Sequence, residues 1–360
     1  MLSVDNPVEL RAGQPIDVAR LSAYLRSKIP GLAASDIEIL QFPSGHSNLT
    51  YMIKSGEREL ILKREPPGAK AKSAHDMGRE FRILSSLYGR YPFAPQPFDY
   101  CEDASIIGGK FCVMERLKGV IVRGEYPADG SVTPIQVQTQ FSRLIEALAQ
   151  LHSLDVAAVG LADFGRPQGY RQRQVEGWKK RLDDAKTENM ADFSAVTSWL
   201  TRHMPTEPEQ TAVVHNDFKM DNLVWSTDDI AKLIGVLDWE MSTVGDPLMD
   251  LACTLSFWVE KTDPPEFRAL RAMPGARPDV LSRREAIRYY GMQTGRRIAA
   301  TDFYLCFGLF RRAVIEQQKY FRYSRGQTQD PRFSKLDEAV RVLRDMCMKV
   351  IEDASKTGKQ

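Results

Sequence analysis

Asp217 and Asn222 stand five residues apart in VVHNDFKMDNLVW, residues 213–225, and Asp238 follows at the end of the apolar run IGVLDW. Phosphoryl transfer asks little covalent work of a protein and much electrostatics: a carboxylate to orient the attacking hydroxyl, oxygen ligands for Mg²⁺, and a cation on the phosphates. Asp217 suits the first role and Asn222 the second. Asp238, held at a strand end, suits a Mg²⁺ that takes few hard oxygen ligands beside phosphates and water. Upstream, Lys63 in LILKR shares a strand face with Ile61, and a lysine on a covered face needs a counter-charge or a ligand. Glu80, on the inner edge of a following helix, can supply the ion pair that holds Lys63 against the α and β phosphates. The turn at 44–48 offers backbone and hydroxyl donors to the same phosphates from Gly45, Ser47 and Asn48, without being a G-x-G-x-x-G loop.

Each residue alone has a plainer reading. Asp and Asn form turns, an edge-strand lysine extends its head into water, and His215, with no second His or Cys nearby, fits a hydrogen-bonded structural role better than a metal ligand. His152, on the inner face of LIEALAQLHSL, reads as a core histidine. The order of all five residues along the chain favours a phosphotransferase site. Rival motifs fail: there is no G-x-x-x-x-G-K-[ST], no H-E-x-x-H and no G-x-S-x-G.

The elements that must position these residues fall into two blocks. Val18, Leu21, Leu25 and Ile29 recur at helical spacing. DIEILQF, LTYMIK, ELILKR and FCVMERL then read as strands of an antiparallel meander, interrupted by a helix between Ser73 and Gly89. After about residue 117 the periodicity becomes helical, through Val137 to Leu151, near 301–321, and through Val340 to Ile351. Two short strand-like runs, at 212–217 and 234–239, flank the polar loop. The expectation is an α+β chain with an N-lobe at 1–116, a small antiparallel sheet plus helix for nucleotide, and a larger, mostly helical C-lobe at 117–360 for catalysis, metal and acceptor.

Composition narrows the function. Lys plus Arg number 49 against 47 Asp plus Glu, so neither nucleic acid nor a membrane surface is an expected partner. The five cysteines are odd in number and never form C-x-x-C, which fits a reducing compartment better than a disulfide framework or zinc site. The opening MLSVDNPVEL lacks a basic-then-apolar leader, and the chain lacks an apolar run of membrane-spanning length; the expected location is the cytoplasm.

The blocks GHSNLTY, LILKREP, REFRIL, HNDFKMDNLVW, GVLDWEMSTVGDPLMDLA and YYGMQTGRR, in that order over roughly residues 36–330, resemble the aminoglycoside phosphotransferase and choline kinase superfamily. They look most like the kinase-like domains associated with acyl-CoA dehydrogenases, which implies a functional link to such an enzyme. The resemblance implies a protein-kinase-like two-lobed fold using ATP and Mg²⁺, with Asp217 catalytic, Asn222 and Asp238 as metal ligands, and Lys63 with Glu80 anchoring phosphates. It also implies a hinge at 114–117, where the Glu115 carbonyl and Leu117 N–H would read the adenine edge. Many members have Gly where this chain has Asn216, a residue that tolerates the same backbone angles.

The expected acceptor is a small-molecule hydroxyl. Basic residues in GRPQGYRQRQVEGWKKRL, 165–182, and Arg311, Arg312, Lys319, Arg322 and Arg325 favour an anionic acceptor such as a hydroxyacyl-CoA or hydroxy acid. A solvated helix face is the plainer reading of such runs. Arg173, Trp178 and Glu240 are the candidate acceptor contacts. An aminoglycoside or other antibiotic is the alternative acceptor, and a nucleotide-binding pseudokinase scaffold the alternative of another class.

Overall fold

The structure is a computed structural model that describes residues 6–10, 16–32, 37–42, 49–65, 76–206 and 210–357. Gly45, Ser47 and Asn48 lie outside the described residues. In chain order the elements are α1 Val18–Lys28, β1 Glu38–Gln41, β2 Leu49–Ser55, β3 Arg58–Arg64, α2 Met77–Leu87, β4 Pro97–Cys101 and β5 Phe111–Glu115. Then come α3 Pro134–His152, α4 Tyr170–Asp184, α5 Ser194–Arg202, β6 Ala212–Val214, β7 Leu223–Trp225, β8 Leu233–Val236 and β9 Thr243–Gly245. Five helices close the chain: α6 Pro247–Leu255, α7 Pro265–Ala269, α8 Arg283–Thr294, α9 Thr301–Ser324 and α10 Leu336–Thr357.

The chain divides into two compact units, Met1–Ile121 with Asn222–Ser242, and Val122–Asp221 with Thr243–Gln360. The sequence reading drew one boundary, at 116/117. The first unit takes back a later segment because β7 and β8 form a hairpin of their own, bridged to Val120 through Trp225. Gly119 is required there: a Cβ would run into the Trp225 carbonyl.

The first unit is built on a five-stranded antiparallel sheet in the order β1-β2-β3-β5-β4. Side chains alternate between faces of a strand. Tyr51, Ile53, Leu60, Leu62 and Val113 share a face and pack in one buried cluster with Leu21 and Leu25 of α1 and with Ile29, which caps that helix. Period two therefore turns Lys63 to the opposite face. Register pairs Lys63 with Cys112, whose thiol meets Met77 of α2, so Lys63 and α2 lie on the same side of the sheet. The unforeseen strand is β4: it begins with Pro97 and is half-buried up to Cys101, the composition and exposure of an edge strand rather than an alternating one.

The second unit is mostly helical. Phe141, Leu144, Leu148 and Leu151 of α3 are buried, and Phe141 meets Trp258 edge-on at 4.7 Å between ring centres. Helix α9 crosses α6 at Gly308, where a Cβ would clash with the Ala252 carbonyl. The two apolar ends of VVHNDFKMDNLVW do not pair with each other: β6 pairs with β9, and β7 with β8. Among the described residues no helix is long and apolar enough to cross a membrane.

Candidate active site

In the first unit three charged side chains meet. Lys63 Nζ lies 2.7 Å from Glu80 Oε1 and 3.0 Å from Asp238 Oδ1. Burial alone would lower the lysine's pKa, but the carboxylates of Glu80, Asp238 and Glu240 together hold it well above its ordinary value. Lys63 is thus a fixed cation. Glu80 is buried on α2 and also faces the Trp239 backbone N–H.

Asp238 owes its position to a left-handed turn, with φ 68° and ψ 56°. Such a conformation is unfavourable for a residue with a Cβ, although Asp adopts it more readily than most. Trp239 holds the turn: its ring is buried edge-on against Tyr91, and its indole N–H donates to the Val236 carbonyl at 2.8 Å. Asn222 ends a 3-10 turn, Met220–Asn222, and its carbonyl accepts the Leu237 N–H at 2.8 Å. Because Leu223 pairs with Val236, Asn222 and Asp238 sit at one end of the β7–β8 hairpin.

Those two residues fit a Mg²⁺ site. Asp238 offers a carboxylate whose side chain is 41% exposed, and Asn222 offers an amide oxygen. The described residues hold no group of three or more His, Cys, Asp or Glu arranged for a metal. An ion that draws most ligands from phosphates and water does not need one.

Glu115 and Leu117 also fall in this unit. Glu115 ends β5; its N–H donates to the Gln96 carbonyl at 2.8 Å, and its carboxylate accepts the Gln96 N–H at 3.0 Å. Leu117 packs against Gly235 of β8. Glu240 lies in the 3-10 turn Trp239–Met241 directly after Asp238.

In the second unit Asp217 sits in a loop pinned from behind. Asp250 of α6, wholly buried, accepts the His215 N–H at 2.6 Å on one carboxylate oxygen and the Asn216 N–H at 2.8 Å on the other. Burial would raise its pKa, yet the hydrogen bonds from His152 and the His215 backbone keep the carboxyl below its ordinary value. Asn216 is left-handed, at φ 66°. Arg311 of α9 donates to the Asn216 carbonyl at 2.8 Å, and Thr254 donates to the Phe218 carbonyl at 2.8 Å. The Asp217 N–H donates to His215 Nδ1 at 3.2 Å, so His215, fully buried, is structural.

Lys219, unassigned from sequence, places its ammonium 3.2 Å from Asp217 Oδ2 and 3.6 Å from Asp221 Oδ2, over the Phe257 ring.

Asp250, Thr254 and the function of Arg311 escaped the sequence reading. The signal was present: a lone Asp inside PLMDLACTL and an arginine pair inside YLCFGLFRRAV are charges in apolar helices, which fold only with partners. The basic residues are also not one face. Arg171, Arg311 and Arg312 are buried: Arg171 pairs with Asp246 at 2.8 Å, and Arg312 donates to the Ser256 carbonyl at 2.7 Å. Arg173 is exposed and donates to the carbonyls of Arg166 and Gln168. Trp178 is buried between Arg311, at 5.0 Å, and Arg181, at 4.8 Å.

An antiparallel sheet carrying a Lys–Glu–Asp triad, followed by a helical unit carrying a pinned Asp loop, is the plan of kinase-like phosphotransferases. The comparisons agree with that class. Residues 38–286 match the APH model, described as the phosphotransferase enzyme family, and the chain belongs to that family. It is 33% identical over 327 residues to acyl-CoA dehydrogenase family member 10 of Mus musculus, covering 91% of this chain and 30% of that relative. The chain spans between 30% and 41% of the length of the curated relatives it matches. A crystal structure from Ralstonia eutropha, described as a candidate aminoglycoside phosphotransferase, superposes with a TM-score of 0.80 at 28% identity, covering 94% of this chain and 99% of that one. A spectinomycin phosphotransferase solved with ADP and spectinomycin shares the fold, with a TM-score of 0.54 at 14% identity over 94% of this chain and 98% of that one.

Proposed function

We propose that the protein transfers the γ-phosphoryl group of ATP, in the presence of Mg²⁺, to a hydroxyl of a small molecule. The observation that carries the reading is the Lys63 ammonium held between Glu80 and Asp238, a fixed cation of the kind that anchors phosphates. Asp217 orients the acceptor hydroxyl and takes its proton as the phosphorus–oxygen bond forms. Lys63 stabilises the negative charge that spreads over the phosphoryl oxygens. Asn222 and Asp238 would hold Mg²⁺, which when bound supplies further neutralisation of the phosphate charge.

The leading acceptor is an anionic hydroxy compound, a hydroxyacyl-CoA or hydroxy acid. Two features support it. A groove of about 540 Å³ is lined by Lys179 of α4 and by Thr197, Ser198, Thr201 and Arg202 of α5. Neither of its cations has an ion-pair partner among the described residues. The curated relatives carry acyl-CoA dehydrogenase names, which favours a functional link between this chain and an enzyme of that kind. An antibiotic acceptor is the second reading, favoured by the spectinomycin-bound fold relative. A cytoplasmic location accords with five free, buried cysteines.

The test is ADP release from MgATP in the presence of hydroxyacyl-CoAs, free hydroxy acids and aminoglycosides. Stimulation by the anionic compounds, lost when Lys179 and Arg202 are both replaced by Ala, is the expected result. Stimulation by the polycations alone overturns the anionic-acceptor reading.

A further inference from the structure

Behind Asp250 the hydrogen bonds continue for two more residues, and their directions can be derived. His152 Nε2 lies 3.1 Å from Asp250 Oδ2, and His152 Nδ1 lies 2.8 Å from the Tyr290 hydroxyl of α8. All three side chains are 0–1% exposed. Asp250 already accepts two backbone N–H groups, so it faces His152 as a carboxylate that can only accept. His152 Nε2 must therefore carry a proton. Burial holds the His152 imidazole below its ordinary pKa, so the ring is neutral and Nδ1 is a bare lone pair. Tyr290, whose phenol burial pushes well above its ordinary pKa, keeps its proton and must donate it to Nδ1. The opposite tautomer would set an Nε2 lone pair against the carboxylate.

We propose that Tyr290 is a positioning residue for the phosphotransferase reaction: its hydroxyl satisfies the buried Nδ1 of His152 and holds the plane of the imidazole, and thereby the Asp250 carboxylate that holds the left-handed turn at Asn216 and the aim of Asp217. The inference rests on the reading of Asp217 as the residue that orients the acceptor. Tyr290 touches no reacting atom. The hydroxyl does not fill space that the ring leaves empty, since the Tyr290 and His152 rings meet edge-on at 5.7 Å between centres, a contact that phenylalanine keeps. Arg296 closes the assembly by donating to the His152 carbonyl at 2.8 Å, which fixes the backbone of that residue but not the plane of its ring.

The test is Tyr290→Phe, with two readouts. The chain has five histidines, so the imidazole nitrogens can be assigned by ¹⁵N NMR. The wild-type protein should show His152 protonated on Nε2 with Nδ1 accepting a hydrogen bond, and Tyr290→Phe should keep the Nε2 proton while the Nδ1 shift moves toward that of a nitrogen that accepts none. Turnover is followed as ADP release from MgATP with water as acceptor. The variant should lose about tenfold in kcat, the effect of one buried hydrogen bond, while KM for ATP stays within about twofold and the circular dichroism melt remains cooperative. His152→Asn should lose at least as much, and the double variant should lose no more than His152→Asn, because one residue acts through the other.

An unchanged His152 Nδ1 shift in Tyr290→Phe overturns the proposal, as does unchanged kcat or a fully additive double variant. Asp217→Asn serves as control. If Asp217→Asn releases ADP at the wild-type rate, the functional reading fails and takes the positioning role with it, whereas the NMR result decides the Tyr290–His152 hydrogen bond independently.

Discussion

The two sets of candidate residues, one in each unit, are held in opposite ways. In the first unit the chemistry-bearing groups hold one another: Lys63 contacts Glu80 and Asp238 directly. In the second, the backbone on either side of Asp217, at His215, Asn216 and Phe218, is held by Asp250, Arg311 and Thr254, which the proposed mechanism gives no chemical role. A directly paired triad announces itself by residue type, since each member is a charge that needs a partner. A backbone-pinned loop is announced by the loop alone, because the side chains behind it can come from any helix that packs there. Substitutions in the first set should therefore perturb charge and binding, and those in the second should perturb aim.

Asp217→Asn should be the most damaging to turnover, by on the order of 10²–10⁴-fold, with MgATP binding retained. Stopped-time ADP assays beside calorimetry check this, and wild-type turnover in the variant would remove Asp217 from the mechanism. Asp250→Asn should come next, at about 10²-fold in kcat, because it misaims Asp217 without touching it. A large rise in the ATP KM with unchanged kcat would break the contrast between the two sets. Lys63→Met should act on the other side of that contrast. It leaves Glu80 and Asp238 facing each other without a cation, so nucleotide affinity should fall, and stability should drop by about 3–5 kcal/mol in denaturant titration.

Acidification should weaken the second set selectively. Burial holds the His152 pKa below its unfolded value of about 6.5. Its neutral form thus contributes stability that is complete above that value and is lost as pH falls toward the folded pKa. Asp250 on α6, Tyr290 on α8 and Arg296 face the ring, with Asp246 contributing more weakly. Thermal midpoints should fall from pH 7.5 to 5.5, and the fall should shrink in His152→Asn; an equal fall in both would exclude His152 as its source. The smallest effect belongs to Asn216. Since its φ is 66°, Asn216→Gly should change stability by less than about 1 kcal/mol, and Asn216→Ala should cost about 1–2 kcal/mol.

How legible the molecule was depended on distance along the chain. Helices α1, α3, α9 and α10 and the strands β1, β2, β3 and β5 follow from hydrophobic period, and they occur where the period places them. The edge strand β4 was missed because an edge has no alternation to read. The loop flanks read correctly as strands, but their partners did not follow: β6 pairs with β9 and β7 with β8, pairings that tertiary packing selects from several equally apolar runs.

By itself the sequence determined which groups are the candidates for chemistry, because Asp217, Asn222, Asp238, Lys63 and Glu80 stand out by type and order. Tertiary structure alone decided which charges are spent on holding the protein together. Arg171, Arg311 and Arg312 look in sequence like the exposed cations Lys179 and Lys180, yet they are buried on carboxylates and carbonyls. The physical reason is that the cost of a charge depends on its surroundings. Those surroundings are set by helices far away in the chain, which leave no mark on the local spacing of residues.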